Sequence, residues 1–232
     1  EFSSEEFTCF LETAFRLMAA HTVDGAIIFS FMDWRHSTEI TTAGLSAFTE
    51  LKNLIVWVKD NAGMGTFYRS RHELVFVFKS GQAPHINNFE LGQHGRHRTN
   101  VWECAGVNTM RAGRMEELAR HPTAKPVRLL ADAIKDVSRR NGTVLDPFGG
   151  SGSTLIAAEK AGRRAFLAEL DPVYVDRTVR RWEAYANDKA TLAATGQTFA
   201  QVALERQQKP ARSRAAERPP HASTRTRQKI GS

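Results

Sequence analysis

Leu145-Asp146-Pro147-Phe148-Gly149-Gly150-Ser151-Gly152-Ser153-Thr154 decides how the rest of this chain is read. An apolar strand runs into glycines, and a helix then opens at Thr154. Glycines at such a bend accept positive φ and let a ligand approach backbone N–H groups. The helix N-terminus that follows points its partial positive charge into the same space. That is the pattern of a cofactor cradle, although a glycine-rich turn alone also serves as a plain joint between strand and helix. The next strand, 165–170, sharpens the reading because it carries Glu169 at its end. An acid about twenty residues past the first glycine is at the spacing that places a carboxylate on a ribose.

Working outward, apolar residues Val127, Leu129, Leu130, Ala133, Ile134 and Val137 recur at helical spacing and predict a helix over 125–140, with Pro126 tolerated in its first turn. A strand at 143–148, a helix at 153–161, the strand at 165–170 and a helix at 172–187 complete a βαβα unit. Parallel strands joined by crossover helices follow, and the fold class is α/β. Upstream, Phe7, Phe10, Leu11, Ala14, Phe15, Leu17 and Met18 predict an amphipathic helix over 4–21, with Ser3 or Ser4 as cap. Gly25 opens an apolar strand at 26–31, and a second helix is predicted at 37–51, weakened by Gly44. Strands at 54–58 and 74–78 flank a Gly-rich, Arg-containing loop, 59–72, into which no helix fits, so they are expected to pair antiparallel. Periodicity then disappears from 79 to 124, and a structureless stretch of that length inside a domain is functional or mobile.

A chain of 232 residues with 41% hydrophobic content buries one sizeable core. It contains no apolar run of about 18 residues and no basic-apolar-small leader pattern, so a soluble, cytoplasmic protein is expected. Cys9 and Cys104 stand without a CxxC or His partner, which gives neither a disulfide framework nor a metal site. The net charge of +7 favours a polyanionic partner. Much of it lies after residue 205, where Arg206, Lys209, Arg212, Arg214, Arg218, Arg225, Arg227 and Lys229 sit among Pro, Ser, Ala and Thr. The segment 205–232 reads as a disordered basic tail, either adding non-specific phosphate attraction or simply solvated.

Three segments occur in order: His121-Pro122-Thr123-Ala124-Lys125-Pro126, then Asp146-Pro147-Phe148-Gly149-Gly150-Ser151-Gly152, then Glu169-Leu170-Asp171-Pro172. Their sequence resembles the S-adenosylmethionine-dependent DNA amino-methyltransferases, in the circularly permuted (β-type) arrangement whose cofactor half follows the catalytic half. The resemblance covers the chain to about Asn187. It implies a Rossmann-like methyltransferase sheet, mostly parallel with an antiparallel hairpin, in a domain spanning 1–204 with a target-recognition region at 79–124. It also implies methyl transfer to the exocyclic amine of adenine (N6), ahead of cytosine (N4), in double-stranded DNA. Phe148, Gly149, Gly150 and Gly152 match the loop around the methionine end of the cofactor, above Asp146. Thr123 and Lys125 match the segment over its amino-acid moiety, and Glu169 matches the acid on the ribose hydroxyls.

The family's catalytic tetrapeptide, Asp or Asn followed by Pro-Pro and an aromatic residue, is absent. Asp171-Pro172-Val173-Tyr174 lacks the second proline and reads as a helix start. The resemblance places the true motif upstream of 4–21, so the chain is expected to lack the N-terminal catalytic strand and to be inactive alone. Candidate DNA contacts are Arg69, Arg71, Arg96, His97 and Arg98, interleaved with Tyr68 and Trp102. Other readings stay open: a methyltransferase acting on RNA or a protein amide, or a non-enzymatic DNA-binding remnant. A nicotinamide dinucleotide fold is disfavoured by the absence of G-x-G-x-x-G spacing.

Overall fold

The computed structural model describes residues 2–64, 67–93, 95, 97–106 and 124–208. The chain divides into two compact units between Asn187 and Asp188. In the first, α1 (Ser4–Ala20), β1 (Ala26–Met32), α2 (Ser37–Ala47), β2 (Glu50–Val58), β3 (His72–Ser80), β4 (Val101–Glu103), α3 (Val127–Val137), β5 (Thr143–Asp146), α4 (Ser153–Ala161), β6 (Arg164–Leu167) and α5 (Pro172–Ala186) follow in order. The strands form a four-stranded sheet, ordered β1-β3-β2-β4, and a two-stranded sheet, β5-β6. The expected hairpin is present: β3 pairs antiparallel with both β1 and β2. The β2–β4 and β5–β6 pairs are parallel. The fold class is α/β.

The central strand β3 is covered on both faces, which is why Leu74-Val75-Phe76-Val77-Phe78 reads as an unbroken apolar run rather than an alternation. Phe76 and Phe78 point to one side, where Leu11 and Phe15 of α1 and Ile40 and Ala43 of α2 bury them. Val75 and Val77 point to the other and pack with Ile55, Trp57, Trp102 and the α3 residues Leu129 and Ala133. Each large side chain so buried contributes about 1.5–3 kcal/mol. Gly44 belongs to the same packing, because a Cβ there would lie 2.2 Å from the Phe78 ring. The helix accepts glycine at a cost of about 1 kcal/mol in propensity so that it can approach the sheet.

Several boundaries differ from the sequence reading. Helix α2 ends at Ala47, not 51: Phe48 turns extended (φ −111°, ψ 159°) to bury its ring, and Thr49 N–H donates to Lys79 O, starting β2 early. Within the stretch read as irregular, β4 forms around the buried Trp102, a strand too short to show a period. β6 ends at Leu167, so Glu169 lies just beyond the strand instead of closing it. The second unit also departs from expectation. Asn187, in the left-handed region (φ 51°), ends α5. A bridge between Thr191 and Thr198 precedes helix α6 (Phe199–Gln208), so residues 205–208 are helical where disorder was expected. Residues 209–232 of the tail lie outside those described.

Candidate cofactor cradle

Asp146, the last residue of β5, bends the chain: its Oδ1 accepts the Phe148 N–H at 3.0 Å, an Asx-type turn. Gly149 N–H then donates to Ala168 O at 2.8 Å, sewing the loop to the chain leaving β6. At Gly150 the backbone takes φ +51°, and its N–H donates to Glu169 Oε2 at 2.7 Å. The other carboxylate oxygen accepts the Asp171 N–H at 2.9 Å. The glycine bend and the acid read from sequence therefore meet directly. A carboxylate is an acceptor with several lone pairs, the chemistry that suits a vicinal pair of hydroxyls. Gly152 caps α4 in the left-handed region (φ 74°) and offers no side chain to its first turn, whose N–H groups and dipole face the loop.

Helix α5 holds this loop from behind. Asp171 caps it by accepting the Val173 N–H at 2.8 Å, with Pro172 at the first helical position, which bears out the helix start. Thr178 Oγ1 donates to Gly150 O at 3.0 Å, and Arg181 Nη1 donates to Ser151 O at 2.9 Å and Ser153 Oγ at 3.1 Å. A Cβ at Gly152 would stand 2.5 Å from Thr178 Cγ2, so glycine is needed for this contact. Sequence reasoning missed Thr178 and Arg181. Their three-residue separation puts them on one helix face, but nothing local shows what that face meets. On the other side, Phe148 lies 6.1 Å from Phe10, and a groove of about 340 Å³ separates α1 from Leu145, Pro147 and Phe148.

Of the remaining predicted residues, Lys125 lies at the same end of the unit. Antiparallel β1–β3 and β3–β2 pairing gathers the C-termini of β1 and β2 at the N-terminus of β3. Lys125, just before α3, reaches that edge: its Nζ lies 3.0 Å from Glu73 Oε2 and 5.5 Å from the Phe31 ring centroid. Glu73 also pairs with Lys59. Burial pushes the Glu73 carboxyl up, but the Lys125 and Lys59 ammonium groups outweigh it and hold the carboxyl below its usual range. At the opposite end of α3, Arg163 donates to Ser138 Oγ and O at 3.0 and 2.6 Å, so α3 and α4 run side by side in the same direction. Their N-termini, the glycine loop and the loop between β2 and β3 accordingly share one end, where α/β sheets bind ligands.

The candidate DNA contacts separate. Arg98 turns inward to Asp136 at 2.9 Å and lies over Trp102, where it holds the chain before β4 against α3. Arg69 donates to the carbonyls of Gly63 (2.9 Å) and Ala62 (3.4 Å) and so shapes its own loop. Arg71 and His97 are exposed, whereas Arg96 and Thr123 lie outside the described residues. Among the described residues no His, Cys, Asp and Glu cluster suits a metal ion, and no helix is long and apolar enough to cross a membrane.

Comparison with known proteins agrees with this geometry. DNA adenine methyltransferase YhdJ of Escherichia coli (strain K12) is 33% identical over 165 residues, which cover 60% of this chain and 55% of that protein. Type II methyltransferase M2.MboI of Moraxella bovis is 26% identical over 140 residues, 57% of this chain and 50% of that protein. The chain spans about half the length of these curated relatives. The solved M1.HpyAVI-SAM complex matches with a TM-score of 0.62 at 21% identity, covering 75% of this chain and 82% of that one, which is a likeness of fold. The sequence pattern of the N6_N4_Mtase family, described as DNA methylase, matches residues 1–180. The chain belongs to that DNA methylase family.

Proposed function

We propose that this chain is the cofactor-binding and DNA-docking part of an S-adenosylmethionine-dependent methyltransferase acting on an exocyclic amine of DNA. The observation that carries the reading is the Glu169 carboxylate seated on the Gly150 N–H, where a glycine loop leads into a helix N-terminus. These residues fit the group: the carboxylate suits ribose hydroxyls, and the glycines admit a ligand to the backbone. When bound, the sulfonium supplies an electrophilic methyl group. In the proposal Phe148, Gly149, Gly150 and Gly152 surround the methionine end, Asp146 fixes the loop, and Thr123 and Lys125 close over the amino-acid moiety. Calorimetry with S-adenosylmethionine tests this directly, and an absence of binding at millimolar ligand refutes it.

The substrate is double-stranded DNA, with Arg71 and His97 among its contacts, and the target nucleotide must leave the stack to be reached. Adenine N6 is favoured over cytosine N4 because the relative YhdJ is a DNA adenine methyltransferase. Mass spectrometry of digested DNA, separating N6-methyladenine from N4-methylcytosine, distinguishes them. An amine conjugated to a ring is a weak nucleophile until acceptors on its hydrogens and an aromatic face align it, work that the family assigns to its tetrapeptide. Since that tetrapeptide is absent, the chain alone binds cofactor with little or no transfer. Turnover by this chain alone refutes the inactivity.

A further inference from the structure

The loop between β2 and β3 carries Met64, Phe67 and Tyr68, which are 98%, 83% and 87% exposed. Aromatic rings at a loop tip leave water only when something covers them, yet this loop is folded so as to display them. Lys59 N–H donates to Arg71 O and Gly63 N–H to Ser70 O, both at 2.8 Å, zipping the two arms. The Arg69 guanidinium staples the turn through the Gly63 and Ala62 carbonyls. Phe67 and Tyr68 are held with ring centroids 4.2 Å apart. Exposed Arg71 flanks them, and exposed Trp34, with Arg35 over its ring at 5.2 Å, stands on the neighbouring loop after β1. Both loops lie at the end of the unit that carries the glycine cradle.

From this arrangement we infer that Phe67 and Tyr68 form a stacking platform for an unpaired nucleotide base of the DNA. The inference rests on the DNA reading above and goes beyond it by naming the contact. Cations attract a phosphate chain wherever it passes, whereas a bare aromatic pair beside them selects what phosphate alone does not offer, the face of a base. A duplex whose target nucleotide has been extruded presents such faces beside the gap. A protein surface or a second copy of the chain is the competing occupant, but the arginines on both loops favour a polyanion.

The test compares fluorescence anisotropy on a single-stranded dT20 oligonucleotide and on an abasic strand of equal length and charge. Stacking on one base is worth about 1–3 kcal/mol, so Phe67→Ala/Tyr68→Ala weakens dT20 binding by about 5- to 150-fold. Affinity for the abasic strand and the salt dependence of binding stay as in the wild type, and Phe67→Tyr/Tyr68→Phe restores dT20 binding. Unchanged dT20 affinity overturns the inference, and so does an equal loss on both strands. Concentration-dependent dimers that the double alanine variant abolishes, with nucleic-acid affinity intact, assign the pair to self-association and overturn it as well. If the wild type retains neither strand nor duplex at low salt, the DNA reading itself falls.

Discussion

Replacing Glu169 with glutamine keeps the side-chain volume but removes the charge and turns one acceptor into a donor. In the wild type the two carboxylate oxygens lie 2.7 Å from the Gly150 nitrogen and 2.9 Å from the Asp171 nitrogen, both donors. The amide therefore satisfies one of them and sets an NH2 group against the other. Hydrogen bonds to charged groups contribute about 1.5–3 kcal/mol and neutral ones about 0.5–1.5 kcal/mol. Exchanging two charge-assisted ribose contacts for neutral ones thus costs about 2–3 kcal/mol of cofactor affinity, a loss of about 30- to 150-fold. Glu169→Ala removes both contacts and costs about 3–6 kcal/mol. Titration calorimetry with S-adenosylmethionine reads the affinities, and thermal melts of the free proteins read the loop's own stability. If Glu169→Gln binds within about twofold of the wild type while its melting point falls, the acid only shapes the loop and the ribose assignment is wrong.

Gly152→Ala combines a left-handed backbone, about 1–2 kcal/mol, with an overlap on Thr178, about 1–3 kcal/mol. Urea titration should show a loss of about 2–5 kcal/mol, partly recovered in Gly152→Ala/Thr178→Ser, which removes the Cγ2 atom at 2.5 Å. No recovery would mean that the α5 contact is not what requires glycine. Gly44→Ala gains about 1 kcal/mol of helix propensity but drives a methyl into the Phe78 ring, so a net destabilisation is expected; a more stable variant contradicts the packing argument. For Glu73 the folded carboxyl is shifted down, so its stabilisation is present above the unfolded value of about 4.3 and disappears as pH falls through the lower folded value. Glu73→Gln should accordingly be less stable than the wild type at pH 7, and the gap should close in acid. A gap that is constant with pH excludes the ion triplet as its source.

The cradle was legible because its parts are local. A strand, a turn and a helix N-terminus need only nearest neighbours, and the parallel partner strand returns Glu169 to the turn after one short crossover helix. Chain segments that meet only through the tertiary fold were not legible. Glu73 finds Lys125 because β3 and the start of α3 converge, and no spacing in either segment anticipates it. Phe48 leaves a helix-compatible sequence because the Phe15 and Phe78 rings offer it burial. Strand β4 depends on one buried tryptophan, Trp102, whose neighbours Val101 and Glu103 face solvent.

The arginines show where reading charge from sequence stops. Arg69 and Arg98 look alike as basic residues in polar loops, and both read from sequence as candidate DNA contacts. The fold uses Arg98 to pair with Asp136, which is 3% exposed, and uses Arg69 to satisfy turn carbonyls. Removing Arg98 should therefore cost stability first, through the loss of a largely buried ion pair and of its packing over Trp102, and DNA affinity only as a consequence. Removing Arg71, which lies on the surface beside the aromatic pair, should leave the melting point unchanged and weaken binding uniformly across sequences with a shallower salt dependence. Measured side by side, melts and salt titrations separate a cation that builds the interface from one that touches the phosphate. An Arg71→Ala variant that melts early with an unchanged salt slope would reverse that assignment.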